Sequence, residues 1–246
     1  MTYSIVAKIP EKNEIGIAVA SRFFACGSLV PYITQDTVMA SQAFVNPLWG
    51  SRSLDLLQEE IPFEKVLNDL KEEDLGRETR QFHGISKVGE IVQHTGAECV
   101  EWAGHVKGEH VSVAGNMLAG PKVLAETLDA WHANDGITFA ERLLRAMEAG
   151  EAAGGDKRGK QSAAIKIYHG QPYPDLDLRV DDHADPLREL RRLMLVADER
   201  YTIFKTALPT IDDFSGMIDR RPLDQAIAKA EEERRQKGYL SASYAT

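Results

Sequence analysis

The residue best placed for chemistry in this sequence is Thr2, a hydroxyl side chain directly behind Met1. Thr2 opens an apolar, β-branched run, and a polar turn containing Pro10 and Asn13 leads into a second such run, so the chain begins inside a strand that is expected to be buried or half-buried. Thr2 is therefore either a β-branched strand residue or a nucleophile. Ser4, on the same strand face, is a fallback hydroxyl that lacks an amine of its own.

Gly115 and Asn116 are the next residues with catalytic potential. Gly permits close approach to the backbone, and Asn offers an amide N–H at a strand end, as a developing oxyanion requires. An ordinary strand-to-helix turn explains the same pair equally well. His94 also ends a strand and could relay protons, although a lone His more often satisfies a local hydrogen bond.

Segment 154–162 combines glycine, charge and hydroxyl groups. It could be mistaken for a phosphate-binding loop, but it lacks the Walker spacing and precedes a strand, so no helix amino terminus faces the anion. We expect Asp156 to fix the loop through buried hydrogen bonds or salt bridges. Gln161 and Ser162 are expected to reach the cleft.

Asp181, Asp182, His183 and Asp185 bring carboxylates and an imidazole together, and these are donors that a metal ion accepts. The alternative is a helix entry, with Asp185 as N-cap and the acidic groups favoured by the helix dipole. We favour the helix entry and predict neither a metal nor a cofactor.

Hydrophobic periodicity divides the chain into groups of strands and pairs of helices. Three strands, the third near 37–43, precede a helix with Asn46 as N-cap and Pro47 at its first position. A second helix, three strands, two helices, two strands and terminal helices follow. Strands joined by short turns pair antiparallel, and paired helices cover sheet faces. We therefore predict an α+β fold, a four-layer αββα sandwich of two stacked antiparallel sheets between helical layers.

The chain has 246 residues, an apolar fraction of 43% and a formal net charge of −9. This size and apolar content predict a globular protein with a full core. The acidic balance disfavours nucleic acid, whose phosphates bind clustered Lys and Arg. Apolar runs of strand length predict neither a membrane span nor a secretory signal, and we expect a cytoplasmic protein. Cys26 and Cys99, which have no metal-type spacing, are expected to be reduced, buried thiols.

Several stretches have sequences unusual enough to compare with known families: TYSIVA (2–7), GIAVAS (16–21), SQA (41–43) with NP (46–47), HTG (94–96) with WAGH (102–105), GNML (115–118), AGGD (153–156) with RG (158–159) and QSA (161–163), and LRVDDH (178–183). Together they resemble the family of unknown function numbered 1028, which is placed in the N-terminal nucleophile (Ntn) hydrolase superfamily. The resemblance covers roughly residues 2–193. It implies the αββα fold but no established reaction.

In that superfamily a Thr or Ser hydroxyl is the nucleophile, and the α-amine of the same residue, with a pKa near ~8, takes its proton. The resemblance implies Thr2 as nucleophile after removal of Met1, with Asn116 as a catalytic oxyanion donor. Several members hold an acid or base at the end of the second strand. This chain has Ser21 and Arg22 there, so it does not reproduce a proteasome-like charge pattern.

The expected activity is hydrolysis of a small amide or peptide-like substrate. One alternative is a non-catalytic protein of the same fold that binds a ligand or serves in an assembly, and another is a metal-binding protein centred on 181–183. The residues expected to contact the substrate are Ser4, Ser21, Asn46, His94, Gly115, Asp156, Gln161 and Ser162.

The carboxyl-terminal part of the chain is expected to be a helical extension over 209–246, attached to an Ntn-like domain over 1–208. Its last helix has only a narrow apolar stripe of Ala226, Ile227 and Ala230. Its charge pairs would each stabilise an isolated helix by ~0.2–0.5 kcal/mol, so the helix needs a surface to lie on. We predict that the extension packs on the domain or on a partner subunit, in a homodimer.

Overall fold

The chain opens with a hairpin whose first strand lies inside a sheet. The computed structural model describes residues 2–245, in which β1 spans Thr2–Ile9 and β2 spans Glu14–Ser21. A 3-10 turn over Pro10–Lys12 joins them, and Asn13 closes it with a left-handed φ of 52°. Asn tolerates this conformation because its short polar side chain can bond locally. Residues 2–7 of β1 are buried, so the expected covered strand at the start of the chain is observed.

A short helix and two strands follow the hairpin. They are α1 (Cys26–Leu29), β3 (Pro31–Ile33) and β4 (Val38–Ala43). The sequence pattern predicts β4 but neither α1 nor β3, because three or four residues are too few to display a hydrophobic period.

A pair of helices and a second hairpin come next. They are α2 (Pro47–Gln58), α3 (Phe63–Glu73), β5 (Arg80–Ile85) and β6 (Ile91–Thr95). The predicted cap of α2 is confirmed, since the Asn46 side chain accepts the backbone N–H of Leu48. The buried face of α3 has the predicted helical spacing and consists of Phe63, Val66, Leu67 and Leu70.

Strands and helices then alternate in pairs up to Val180. The sequence pattern does not reveal β7, because its residues are small, charged or half-exposed rather than alternately apolar. The six elements are β7 (Gly104–Gly108), β8 (Val111–Asn116), α4 (Lys122–Ala133), α5 (Phe139–Ala152), β9 (Ser162–His169) and β10 (Pro174–Val180).

The strands form two antiparallel sheets. One has six strands in the order β10-β9-β2-β1-β8-β7, and the other has four in the order β3-β4-β5-β6. Strands β1 and β8 contact β4 and β5 across the two sheets. Helices α4 and α5 pack on the six-stranded sheet, and α2 and α3 pack on the four-stranded sheet. The predicted α+β class, with two antiparallel sheets and accompanying helices, is confirmed.

The layer between the sheets is apolar at one end and polar at the other. Val6, Ile17 and Val19 pack with Val38 and Ala40 of the four-stranded sheet. Towards the start of β1, the buried side chains on this face are hydroxyls and amides. The apolar end joins the sheets, whereas the polar end surrounds Thr2. The separate core between the four-stranded sheet and its helices includes Met39, Trp49, Phe63, Val66 and Phe82.

The chain divides into two compact units after Leu187. The second unit contains most of α6 (Pro186–Glu199), together with α7 (Tyr201–Phe204) and α8 (Arg221–Gln236). No helix in the described part of the chain combines the length and apolar character needed to cross a membrane. The predicted free cysteines are confirmed, since Cys26 and Cys99 are unpaired with each other and buried.

Candidate active site

Thr2 lies where three strand ends of the six-stranded sheet meet. Its strand, β1, lies between the end of β2 and the end of β8, and Thr2 pairs directly with Asn116 of β8. The Thr2 side chain is buried, and its hydroxyl donates to the Ser21 hydroxyl oxygen at 3.2 Å. Residues 2, 21 and 116 are distant in sequence, and antiparallel pairing brings them together.

Asn116 holds the Thr2 backbone. Its side-chain nitrogen donates to the Thr2 carbonyl at 3.4 Å and to Gln81 Oε1 at 3.0 Å, so both amide hydrogens have acceptors. The Gly115 carbonyl accepts from Gln81 Nε2 at 2.8 Å. A Cβ at Gly115 would come within 2.6 Å of Leu118, so this position has no room for a larger residue. In this arrangement Asn116 positions the residue that carries the hydroxyl.

Ser162 anchors the turn that follows β2. It pairs with Ser21 across the sheet, donates its hydroxyl to the Phe23 carbonyl at 2.5 Å and accepts the Cys26 N–H at 3.1 Å. The Gln161 N–H donates to the Ser21 carbonyl at 3.1 Å. Ser162 is fully buried, and its hydroxyl is committed to fixing the start of α1.

Asp156 ties the glycine-rich loop to the same end of the sheet. Its carboxylate accepts the backbone N–H of Arg22 at 2.8 Å and of Arg158 at 2.9 Å. The residue is buried and forms an isolated bridge with Leu118, beyond the end of β8. The loop thereby lies between the ends of β2 and β8. The expected anchoring by buried hydrogen bonds is observed.

Ser4 points into a buried polar network between the sheets. Its hydroxyl donates to Gln42 Oε1 at 2.8 Å, and its oxygen lies 2.8 Å from His83 Nε2. Gln42 Nε2 donates to Gln81 Oε1 at 2.8 Å, the same oxygen that Asn116 contacts. One continuous chain of hydrogen bonds therefore connects His83 to Asn116.

His83 is held as a neutral ring with one defined tautomer. Burial, with a smaller effect of His105, lowers the pKa of His83 to about 3. Because the Ser4 hydrogen goes to Gln42, His83 Nε2 must donate to Ser4, and Nδ1 accepts from the Ser112 hydroxyl at 2.8 Å. A nitrogen that donates cannot remove the Ser4 proton, so His83 does not act as a base towards Ser4 in this state.

Sequence reasoning missed the four residues Gln42, Gln81, His83 and Ser112. A signal was present, because Gln81 and His83 occupy alternate positions of a predicted strand where a buried face ordinarily has apolar residues. Two polar groups on one buried face of a strand require partners from another element.

Asn46 and His94 belong to a different cluster. Asn46 Nδ2 and Trp49 Nε1 both donate to Asp74 Oδ2 at 2.9 Å. Burial alone would raise the pKa of Asp74, but hydrogen bonds from Arg80 and Asn46 outweigh it and hold the pKa well below its usual value. The His94 ring lies beside Trp49, with centroids 5.5 Å apart. These contacts join the start of α2 to the end of α3.

The acidic segment after β10 forms local contacts. Asp181 pairs with Arg179 at 2.8 Å, Asp182 accepts from Gln161 at 3.0 Å, and His183 Nδ1 accepts the Asp185 N–H at 2.9 Å. Among residues 2–245 no group of three or more His, Cys, Asp or Glu side chains is arranged to hold a metal ion.

Among residues 2–245, three of the six non-glycine residues with positive φ lie at the Thr2 end of the sheets. Ala25 after β2, Ala43 at the end of β4 and Met117 after β8 have φ values of 52°, 70° and 52°. This left-handed region costs a residue with a Cβ roughly 1–2 kcal/mol. Strained residues of this kind cluster at functional sites. At each of these three residues the chain turns sharply after a strand.

Apolar side chains are exposed beside these turns. Phe23, Phe24, Phe44, Leu48 and Val100 are each more than half exposed, and we call them the apolar rim. They follow β2, β4 and β6, which all end at the Thr2 end of their sheets. Large exposed apolar patches are a common feature of binding surfaces.

Both sheets and their helices match a known protein family. The model described as "Family of unknown function (DUF1028)" matches residues 2–190. This chain belongs to the DUF1028 family. Protein SPO2555 from Silicibacter pomeroyi, whose crystal structure carries the same family name, is 32% identical to it with a TM-score of 0.82. The similarity covers 89% of this chain and 96% of that one. No curated protein is significantly similar to this chain.

The DUF1028 match includes both sheets and every candidate site residue described above. Nearly all of the second unit lies beyond it, since that unit begins at Arg188. The family description names no reaction.

Proposed function

We propose that this DUF1028 chain is an amidohydrolase of the Ntn type, with Thr2 as its nucleophile once Met1 has been removed. The two sheets and their helices then correspond to the αββα sandwich of that superfamily. The observation that carries the proposal is the position of Thr2 at the start of an internal strand. Its hydroxyl is hydrogen-bonded to Ser21, and its backbone carbonyl accepts a hydrogen bond from Asn116. Neither a metal nor a cofactor is needed for this chemistry.

The reaction follows from the two functional groups of a terminal Thr2. Its Oγ attacks the carbonyl carbon of the amide while the free α-amine takes the hydroxyl proton, directly or through a water. The proton passes to the leaving nitrogen as the C–N bond breaks, and the acyl group remains on Thr2 as an ester. A water molecule, deprotonated by the same amine, then hydrolyses the ester and restores Thr2.

Ser21 and Asn116 act as positioning residues in this mechanism. Ser21 lies 3.2 Å from the Thr2 hydroxyl and so fixes the Thr2 rotamer. When the free amine accepts the Thr2 hydrogen, the Ser21 hydroxyl donates to the Thr2 oxygen in its place. Asn116 holds the carbonyl of Thr2, and Gln81 holds Asn116. A nucleophile held within a few tenths of an ångström keeps the reacting atoms aligned, which contributes several kcal/mol to catalysis. Asn116 thus supports the nucleophile, and its amide hydrogens are not directed at an oxyanion.

The apolar rim favours a small amide or peptide-like substrate that has an apolar group. Phe23, Phe24 and Phe44 offer aromatic faces at the end of the sheets where Thr2 lies. Arg22, adjacent to Phe23, adds a cation whose side chain contacts Gln161 at 2.8 Å. An amide with an apolar acyl side would bury surface on the rim while its carbonyl reaches Thr2.

The state of residue 2 tests the proposal. Protein from its native host should have the mass of the chain that begins at Thr2, and an epoxyketone, which reacts with both an amine and a hydroxyl, should label it there. Thr2→Ala should abolish labelling and Thr2→Ser should retain it. Ser51→Ala, which removes an exposed hydroxyl of α2, is the control and should still be labelled. Labelling that persists in Thr2→Ala, or is absent from correctly processed protein, excludes Thr2 as nucleophile.

A second candidate is a non-catalytic protein of the same fold that binds a ligand on the apolar rim. The observation that favours it is that the amide hydrogens of Asn116 and the hydroxyl of Thr2 all have protein acceptors. A native mass that retains Met1, together with no labelling, would favour this alternative over the hydrolase.

A further inference from the structure

The second unit leaves many large apolar side chains exposed. Within its described residues the buried apolar side chains are Leu190, Ala197 and Leu223. A unit of about 60 residues can bury only ~60% of its surface even when it is well packed. Large apolar side chains that it leaves exposed include Phe214, Met217, Ile218, Tyr239, Leu240 and Tyr244.

Leu195, Tyr201, Phe204 and Ile211 are also exposed, but the six named above fall into two segments, one before and one after α8. The first segment, 214–218, immediately precedes α8, and we call it the loop patch. It is ordered against the preceding turn, because the Met217 N–H donates to the Ala207 carbonyl at 3.1 Å. Phe214 and Ile218 are 93% and 88% exposed there.

The second segment, 239–244, follows α8, and we call it the tail patch. It lies along α6, since the Ala242 carbonyl accepts from Arg192 at 2.7 Å and the Ala242 N–H donates to Glu199 at 2.6 Å. Leu240 and Tyr244 are 93% and 81% exposed. Both patches are thus fixed by polar contacts. The Arg192 guanidinium stacks on one face of the Tyr244 ring, 4.0 Å from its centroid, whereas Phe214, Ile218 and Leu240 remain almost fully exposed.

We propose that the two patches form a homodimer interface, in which the loop patch of one copy packs on the tail patch of a second copy. Helix α8 has 16 residues and is therefore about 24 Å long, which separates the two patches by roughly that distance. A twofold axis across the middle of α8 places the helices antiparallel, so each loop patch meets a tail patch and the contact forms twice.

The exposed area is sufficient for this partner. At roughly 200 Å² for a fully exposed large side chain, the six side chains expose about 900 Å² per copy. The two patches expose this area together, and a standard interface buries about 800 Å² per partner. A second copy of the chain supplies both complementary patches, without any other protein.

Light scattering on the full chain tests the dimer. Wild type should have twice the 27.3 kDa mass of one chain at micromolar concentration. Phe214→Ser with Ile218→Ser, or Tyr239→Ser with Leu240→Ser, should raise the dissociation constant about a hundredfold or more. The matched control is Leu75→Ser with Val88→Ser, which changes two similarly exposed apolar residues of the first unit and should leave the dimer intact.

The pairing of unlike patches is tested by cross-linking. A mixture of Ile218→Cys and Leu240→Cys chains should form a disulfide-linked heterodimer, whereas each variant alone should not cross-link. The native Cys26 and Cys99 are buried and do not compete. A wild type that stays monomeric at every concentration, a dimer unaffected by the patch variants, or cross-linking within a single variant would each overturn the proposal.

Discussion

At the scale of single residues, His83 should make the stability of the protein depend on pH. Its pKa is lowered from 6.5 to about 3 by burial. Between these values the unfolded chain binds a proton that the native state does not, so the free energy of unfolding falls as pH falls through this window. The slope from this one group reaches about 1.4 kcal/mol per pH unit. We predict that His83→Gln, which can still donate to Ser4 and accept from Ser112, flattens this dependence.

Urea unfolding of wild type and His83→Gln at pH 7, 6, 5 and 4 measures the difference. Other acid-sensitive groups contribute equally to both proteins, and subtraction removes them. His132→Gln, at an exposed position, is the control and should keep the wild-type slope. Parallel curves for wild type and His83→Gln would show that His83 takes up a proton in the native state as readily as in the unfolded chain.

At the scale of secondary-structure elements, Gly150 sets how closely α5 approaches α4 and β1. A Cβ at this position would come within 2.2 Å of Thr127 Oγ1 and 3.0 Å of the Tyr3 ring. Thr127 cannot turn away cheaply, because its hydroxyl donates to the Val123 carbonyl at 2.7 Å. Alanine favours a helix by about 1 kcal/mol over glycine, but overpacking costs about 1–3 kcal/mol. We predict that Gly150→Ala is destabilising despite its better helix propensity.

Chemical denaturation of a double-mutant cycle isolates this contact. Thr127→Ala removes the clashing oxygen, so Gly150→Ala should cost less in that background than in wild type. Gly136→Ala, where the added Cβ meets nothing within 4 Å, serves as the control and should change the midpoint little. Equal costs of Gly150→Ala in both backgrounds would exclude Thr127 as the cause.

At the scale of the whole molecule, a dimer formed through the second unit couples stability to concentration. Association stabilises the native state by mass action, so the melting temperature of the full chain should rise with protein concentration. The loop-patch and tail-patch variants should lose this dependence, whereas the Leu75→Ser, Val88→Ser control should keep it. Calorimetry from low micromolar to near-millimolar protein measures the effect. A wild-type melting temperature independent of concentration would contradict the proposed interface.

Local pattern was sufficient to predict most elements of the first unit. The apolar runs of β1 and β2, the cap formed by Asn46 before Pro47, and the helical spacing of α3 depend on residues within one or two turns of each other. Propensity and periodicity report such short-range preferences directly. The strands β3 and β7 were not predicted, because pairing with β4 and β8 rather than local pattern defines them. Helix α1 was not predicted because four residues are too few to show a period.

By itself the sequence determined the α+β class, the covered strand at the start of the chain and Thr2 as the residue to examine. Only the tertiary structure decided what surrounds Thr2, because its partners Ser21 and Asn116 are 19 and 114 positions away. The tertiary structure also places Asn46 beside Asp74, in a cluster separate from Thr2. It places His83 beside Ser4, although the two residues are 79 positions apart. A buried hydrogen bond depends on which strands are neighbours, and that follows from packing of the whole chain.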